Sequence, residues 1–245
     1  MFLFVSHSWG GRFKDFVDTL VRHAATMRLA SFDAAYWICT FSNNQWEVAE
    51  EMGIDIKDSS FYFALQHKTC RGTVMVINDN ALPLERIWCL FEAATTCERD
   101  QVDETFHGLL LCNTAGVLNH GTGDMDIAIQ IARRLMHVDL RNAQASVAAD
   151  KQVVLSMVDK MEGGLGSING YVRSGIRSAL MQMHVAFEQD FNKVVLALSR
   201  SAKELVSLLS EHSLEMEPRK GDLDESTALS ERSYSHEDKL MRVYV

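Results

Sequence analysis

Three short stretches hold the side chains whose types and spacing suit chemistry: Ser6 to Trp9, the polar loop Thr40 to Trp46, and Asn78 to Asn80. Each follows an apolar run, so each stands where a buried strand gives way to a loop. His7 can act as an acid or base, or orient its loop through a hydrogen bond. A helix is expected just after Trp9, Gly10 and Gly11. The free N–H groups and dipole of its first turn can receive a phosphate or carboxylate. No Gly-Lys-Ser/Thr follows, which excludes a Walker loop. The glycine-rich stretch at 163–170 lies between two helices, so it reads as a helix stop and linker, not a dinucleotide fingerprint. No Ser-His-Asp order or GxSxG elbow is present. The nine histidines are dispersed, without ligand spacing to Cys or carboxylates. Neither a metal nor a bound cofactor is expected.

The elements that must position these residues follow from hydrophobic periodicity. Phe2–Val5 reads as a buried parallel-type strand. Phe13, Phe16, Val17, Leu20, Val21 and Ala24 recur at helical spacing. Ala35–Cys39 is the second strand. Asp58 to Ser60 caps a short helix running to about His67. Thr73–Ile77 is the third strand, Leu84 to Cys97 the third helix, and Gly108–Cys112 the fourth strand. A helix over Met125–Leu135, a short fifth strand over His137–Leu140 and a helix over Ala148–Met161 complete the series. This alternation predicts a doubly wound α/β fold, flavodoxin-like, with a five-stranded parallel sheet and helices on both faces. In such a sheet of order 2-1-3-4-5, ligands bind at the carboxyl ends of strands 1 and 3, where strand order reverses. The strand-end stretches named above meet at that crevice.

Beyond the sheet domain, residues 1–162, the sequence predicts a helical extension over 163–212. Within it, Phe187, Phe191, Val194, Leu198, Ser201, Leu205, Leu208 and His212 step by four and three. That is a heptad seam with a polar break at Ser201. It fits a helix packed on the sheet domain or one that self-associates. Residues 213–245 lack a periodic apolar face and are expected to be disordered.

Composition bounds the partners. The chain has 245 residues and a formal net charge of −9. With no basic run it is a poor nucleic-acid binder, because phosphate neutralisation supplies most of that affinity. No apolar run is long enough to span a bilayer. The five cysteines are irregularly spaced and odd in number, as buried reduced thiols would be. The first residues form no basic leader, so a cytoplasmic location is expected. A strand starting this close to residue 1 is uncommon and suggests a boundary artefact or a missing upstream piece.

The motifs FVSHSW at the first strand, WICTFSNNQ at the second and RIWCLFE, Arg86 to Glu92, together resemble TIR domains. They are most similar to the divergent TIR-like proteins of algae and other protists, over roughly residues 1–160. The WC-x-x-E element is the most specific part. Ala93 stands where Leu is usual, and the customary loop after strand 2 is not recognisable. The resemblance implies that Glu92 is the catalytic residue of an NAD+ nucleosidase, a hydrolase or cyclase acting in signalling or defence. NAD+ would be its substrate. Nicotinamide leaves as a neutral molecule from a cationic state, so one carboxylate suffices where ordinary glycosidases need two. Ser6 and Asn44 would then hydrogen-bond the substrate, Trp9 or Trp88 would stack on a ring, and Arg12 or Arg86 would offset phosphate charge. His7 and Asn78 complete the substrate-binding set. Trp37 and Trp88 also suit a core. On the helix, Ile87, Leu90, Phe91 and Ala94 form the apolar side, and Glu92 is expected to project away from it. The alternative function is a non-catalytic scaffold that self-associates and recruits other TIR-like or signalling proteins. A nucleoside deoxyribosyltransferase-like activity is a more distant alternative.

Overall fold

Four apolar runs pair side by side, and every connection between them carries a helix, which makes the strands parallel. The computed structural model describes residues 1–29, 35–44, 46–47 and 56–214, without the side chains of 56 and 210–214. The elements in chain order are β1 (Phe2–His7), α1 (Phe13–Thr26), β2 (Tyr36–Ile38), α2 (Cys39–Ser42), α3 (Ser60–Gln66), β3 (Cys70–Val76), α4 (Ile87–Asp100), β4 (Leu109–Cys112), α5 (Met125–Leu135), α6 (Ala148–Val158) and α7 (Gly164–Leu214). The sheet order is β2-β1-β3-β4. Phe4 lies opposite Trp37 and Thr73, and Val74 opposite Leu110.

Successive strand residues point to opposite faces, and both faces are covered. Phe4, Met75, Leu109 and Leu111 enter one core with residues of α3 to α7. Leu3, Val5, Val74, Leu110 and Cys112 enter the other with Leu20 of α1. This double burial is why the strands read as continuous apolar runs. On the first face Phe4 stacks on Trp37 with centroids 4.8 Å apart, so Trp37 is a core aromatic.

Local caps set several boundaries. The Ser59 hydroxyl accepts the Tyr62 N–H and starts α3, and the Asp124 carboxylate accepts the Asp126 N–H and starts α5. The fifth strand expected over 137–140 is absent from the sheet among the described residues. Asp139 accepts the Arg141 N–H and folds the chain into a 3₁₀ turn, Leu140–Asn142. Asn169 accepts the Leu140 N–H from α7. These bonds occupy backbone that a strand would need for pairing. Only a single bridge, between Arg86 and Gln144, follows.

The glycine-rich stretch is not a linker beyond its first residues. Gly163 and Gly164 take φ values of 75° and 50°, a turn suited to glycine, and α7 begins there. Its first half buries Ile168, Val172, Ile176, Ala179 and Met183 in the α4-side core. The approach to α4 is close: a Cβ on Gly175 would sit 2.1 Å from the Cys97 sulfur.

Residues Met1–Val195 and Leu196–Val245 form two compact units. The first contains the sheet and both cores. In the second, the described residues are helical, and Leu198, Leu205 and Leu208 are exposed. The expected disordered tail lies, from residue 215 onward, outside the described residues. No described helix is long and apolar enough to cross a membrane. All five cysteines are free thiols, and all but Cys39 are buried.

Candidate functional site

The carboxyl ends of the strands open into a crevice of about 600 Å³. His7, Ile38, Val76 and Asn113 supply its floor at the ends of β1 to β4. Trp9, Gly10, Gly11 and the start of α1 form one wall. Strand alternation decides which side chains face it. His7 points to the α1 side and packs its ring 4.8 Å from that of Phe16. Burial lowers the His7 pKa, with a weaker opposing pull from the Val5 backbone, so the imidazole is neutral at pH 7.

The neighbouring residue on β1, Ser6, points the other way, toward α4. There the Glu92 carboxyl is buried among Ser6, Cys39 and Cys89. Desolvation pushes its pKa up to about 8, opposed only in part by the Ser6 hydroxyl. The Ser6 hydroxyl also pulls on the Cys89 thiol, yet it is buried without a partner in full hydrogen-bonding geometry among the described residues. Burial, and next the Glu92 charge, raise both thiols, Cys39 to about 11. The Cys39 thiol lies 4.0 Å from the Thr40 hydroxyl, and Thr40 lines the crevice with Trp9.

The burial of Glu92 corrects the expectation that it projects away from the core. Its residue is 9% exposed. Helix α4 is covered nearly all round, so no wet side exists for the glutamate to occupy. Phe61 of α3 packs edge-on against Trp88 and Phe91, and α7 closes over Cys97. Nearby, the Thr96 hydroxyl donates to the Glu92 carbonyl and the Cys89 thiol to the His7 carbonyl. No ion pair to the carboxylate exists among the described residues.

The candidate residues separate into groups. His7, Trp9, Arg12 and Asn78 line the crevice. Ser6 and Glu92 lie behind it on the α4 face. Trp88 is half-buried, with its indole N–H directed at Asp150 at 3.4 Å, and Arg86 donates to Ser146. Neither reaches the crevice. Asn44 bonds Glu47 and the Trp46 N–H within its own loop and does not line the crevice. The rest of that loop, Gln45 and residues 48–55, lies outside the described residues. Asn113, at the end of β4, was missed as a candidate, although an asparagine closing an apolar strand is the signal that singled out Asn78. No cluster suited to a metal ion occurs among the described residues.

No family model, curated protein or solved structure matches this chain.

Proposed function

We propose that this chain is a TIR-like domain, flavodoxin-like in arrangement, whose Glu92 cleaves the nicotinamide–ribose bond of NAD+. The observation that carries the reading is a desolvated carboxyl without a cationic partner, at the carboxyl edge of a parallel sheet. Burying such a group is costly, and shifts of this kind concentrate at functional sites. A pyridinium cation brought beside Glu92 favours its ionised form. As the C1′–N1 bond breaks, its electron pair leaves with neutral nicotinamide, and the carboxylate faces the ribosyl oxocarbenium charge. Water captures that cation and releases a proton; capture by an adenine nitrogen gives a cyclic product instead. Ser6, next to the carboxyl, can hydrogen-bond its ionised form.

The test is nicotinamide release by concentrated protein supplied with NAD+, beside Glu92→Gln. Loss of at least about 100-fold in rate with an unchanged fold is expected, on the scale of removing one preorganised electrostatic group. Equal release by the two proteins refutes the assignment.

A second reading, an assembly scaffold, draws on one specific observation. Phe187, Phe191 and Val194 are exposed in the first unit and Leu198, Leu205 and Leu208 in the second. These residues fall on the heptad seam, and such a seam buries itself against another helix. Under this reading sedimentation shows concentration-dependent association that a Phe191→Asp, Leu198→Asp double variant abolishes.

A further inference from the structure

We infer that α7 associates with α7 of a second copy of this chain, parallel and in register, so that Ser201 faces Ser201. This pairing rests on the assembly reading and adds what that reading leaves open, the orientation and the register.

The residues from Phe187 to Leu209 are helical, and each of them is exposed. A helix in water draws most of its stability from packing an apolar face. Here that face is a heptad seam, with Phe191, Leu198 and Leu205 at a and Phe187, Val194, Ser201 and Leu208 at d. The repeat is sustained for over three heptads, long enough to argue a coiled coil. At its start the Phe187 and Phe191 rings stack on the same side of the helix, with centroids 6.3 Å apart.

The seam's own pattern selects the occupant. Between Phe187 and Leu208 the polar layer is Ser201. A hydroxyl sealed against an apolar side chain loses its water without a new partner, whereas a second hydroxyl supplies one. A second α7, parallel and unshifted, brings a serine to that layer. An antiparallel copy sets d against a and faces Ser201 with Phe or Leu. A parallel copy shifted by one heptad faces it with Val194 or Leu208.

The flanks of the seam favour the same orientation. Asp190, Ala197, Glu204 and Glu211 stand at g, and Glu188, Val195, Ala202 and Leu209 at e. In an antiparallel pair g runs along g, which brings the acidic residues of the two copies together, and like charges facing each other are costly. In a parallel pair g runs along e, so Asp190 meets Val195 of the other copy and Glu204 meets Leu209. The basic residues Lys193, Arg200 and Lys203 stand at the outer positions c and f, where Lys193 pairs with Asp190 of its own helix at 2.7 Å. The seam thus has no basic flank for an acidic partner helix.

The test uses the full chain in a Cys39→Ser background, since the other four cysteines are buried. Spin labels are attached singly to Gln189→Cys, Leu196→Cys and Lys203→Cys, all at the outer f position, and distances between copies are measured by pulsed dipolar spectroscopy. A parallel assembly gives the same distance at all three positions. In an antiparallel one, each step of seven residues changes the axial sum by fourteen, about 21 Å at the helical rise, so no alignment makes all three equal. Ser201→Cys should form a disulfide between copies with oxidised glutathione, seen as a doubled mass on a non-reducing gel. Unequal distances overturn the orientation and leave the assembly reading standing. Equal distances without the Ser201→Cys cross-link overturn the register. A parent chain that sediments as a monomer at every concentration overturns this pairing and the assembly reading together.

Discussion

Replacing Glu92 by Gln should stabilise the protein, and by an amount that grows with pH. In the unfolded chain the carboxyl titrates at its ordinary 4.5, and in the folded chain at about 8. Between these values the native state holds a proton that the unfolded state has lost. Stability therefore falls as pH rises through this window, is free of the penalty below 4.5 and bears it in full above 8. At about 1.36 kcal/mol per pH unit, the linkage from these two values grows by about 3 kcal/mol between pH 5.5 and 8.5. Glutamine preserves shape and polarity but does not titrate, so the difference between variant and parent isolates this one group. The assay is urea unfolding at pH 5.5, 7 and 8.5 for both proteins, below the range in which the raised thiols titrate. The variant's advantage should increase steadily across the series. A difference that stays flat with pH would refute the claim that the carboxyl is desolvated and unpaired.

If Glu92 acts as a carboxylate, kcat/KM for NAD+ should rise with pH toward about 8, where the buried carboxyl ionises; a pH-independent rate from 6 to 9 argues against it. Arg99 donates to the carbonyls of Leu65, His67 and Cys70, pairs with Asp103 and lies over the Phe106 ring. Arg99→Met should cost about 3–5 kcal/mol in chemical denaturation, because it strands buried acceptors, and Lys should rescue little of it. The buried Thr73 and Thr96 hydroxyls bond at 2.7 Å, and Thr96 can also reach the Glu92 carbonyl. Thr96→Val should therefore destabilise by about 1–3 kcal/mol and Thr73→Val by less, an asymmetry that unfolding curves would show.

Most of the sheet was legible because parallel strands buried on both faces need unbroken apolar runs, and Phe2 to Val5, Thr73 to Ile77 and Leu109 to Cys112 supply them. The expected bounds of α5, Met125–Leu135, agree with the structure, where Asp124 caps the first turn. Position 137–140 misled for a physical reason. Val138 and Leu140 are apolar because they are buried, and burial alone does not distinguish a strand from a turn held by Asp139 and Asn169. The crevice was legible in outline, since topology places a reversal at the ends of β1 and β3. Which residues share it was not.

Sequence by itself determined the strand–helix alternation, the strand-end polar residues and the heptad spacing of α7, all of which are local patterns. Tertiary structure alone decided the environment of Glu92. Its helix looks one-sided in isolation, but α3, α6 and α7 enclose it, and enclosure is a property of neighbours distant in the chain. The same holds across the strand crest. Ser6 and His7 are adjacent in sequence, yet the pleat sends one hydroxyl to the buried carboxyl and one imidazole to the crevice. Neighbours in the chain are thus sent to opposite faces by the pleat.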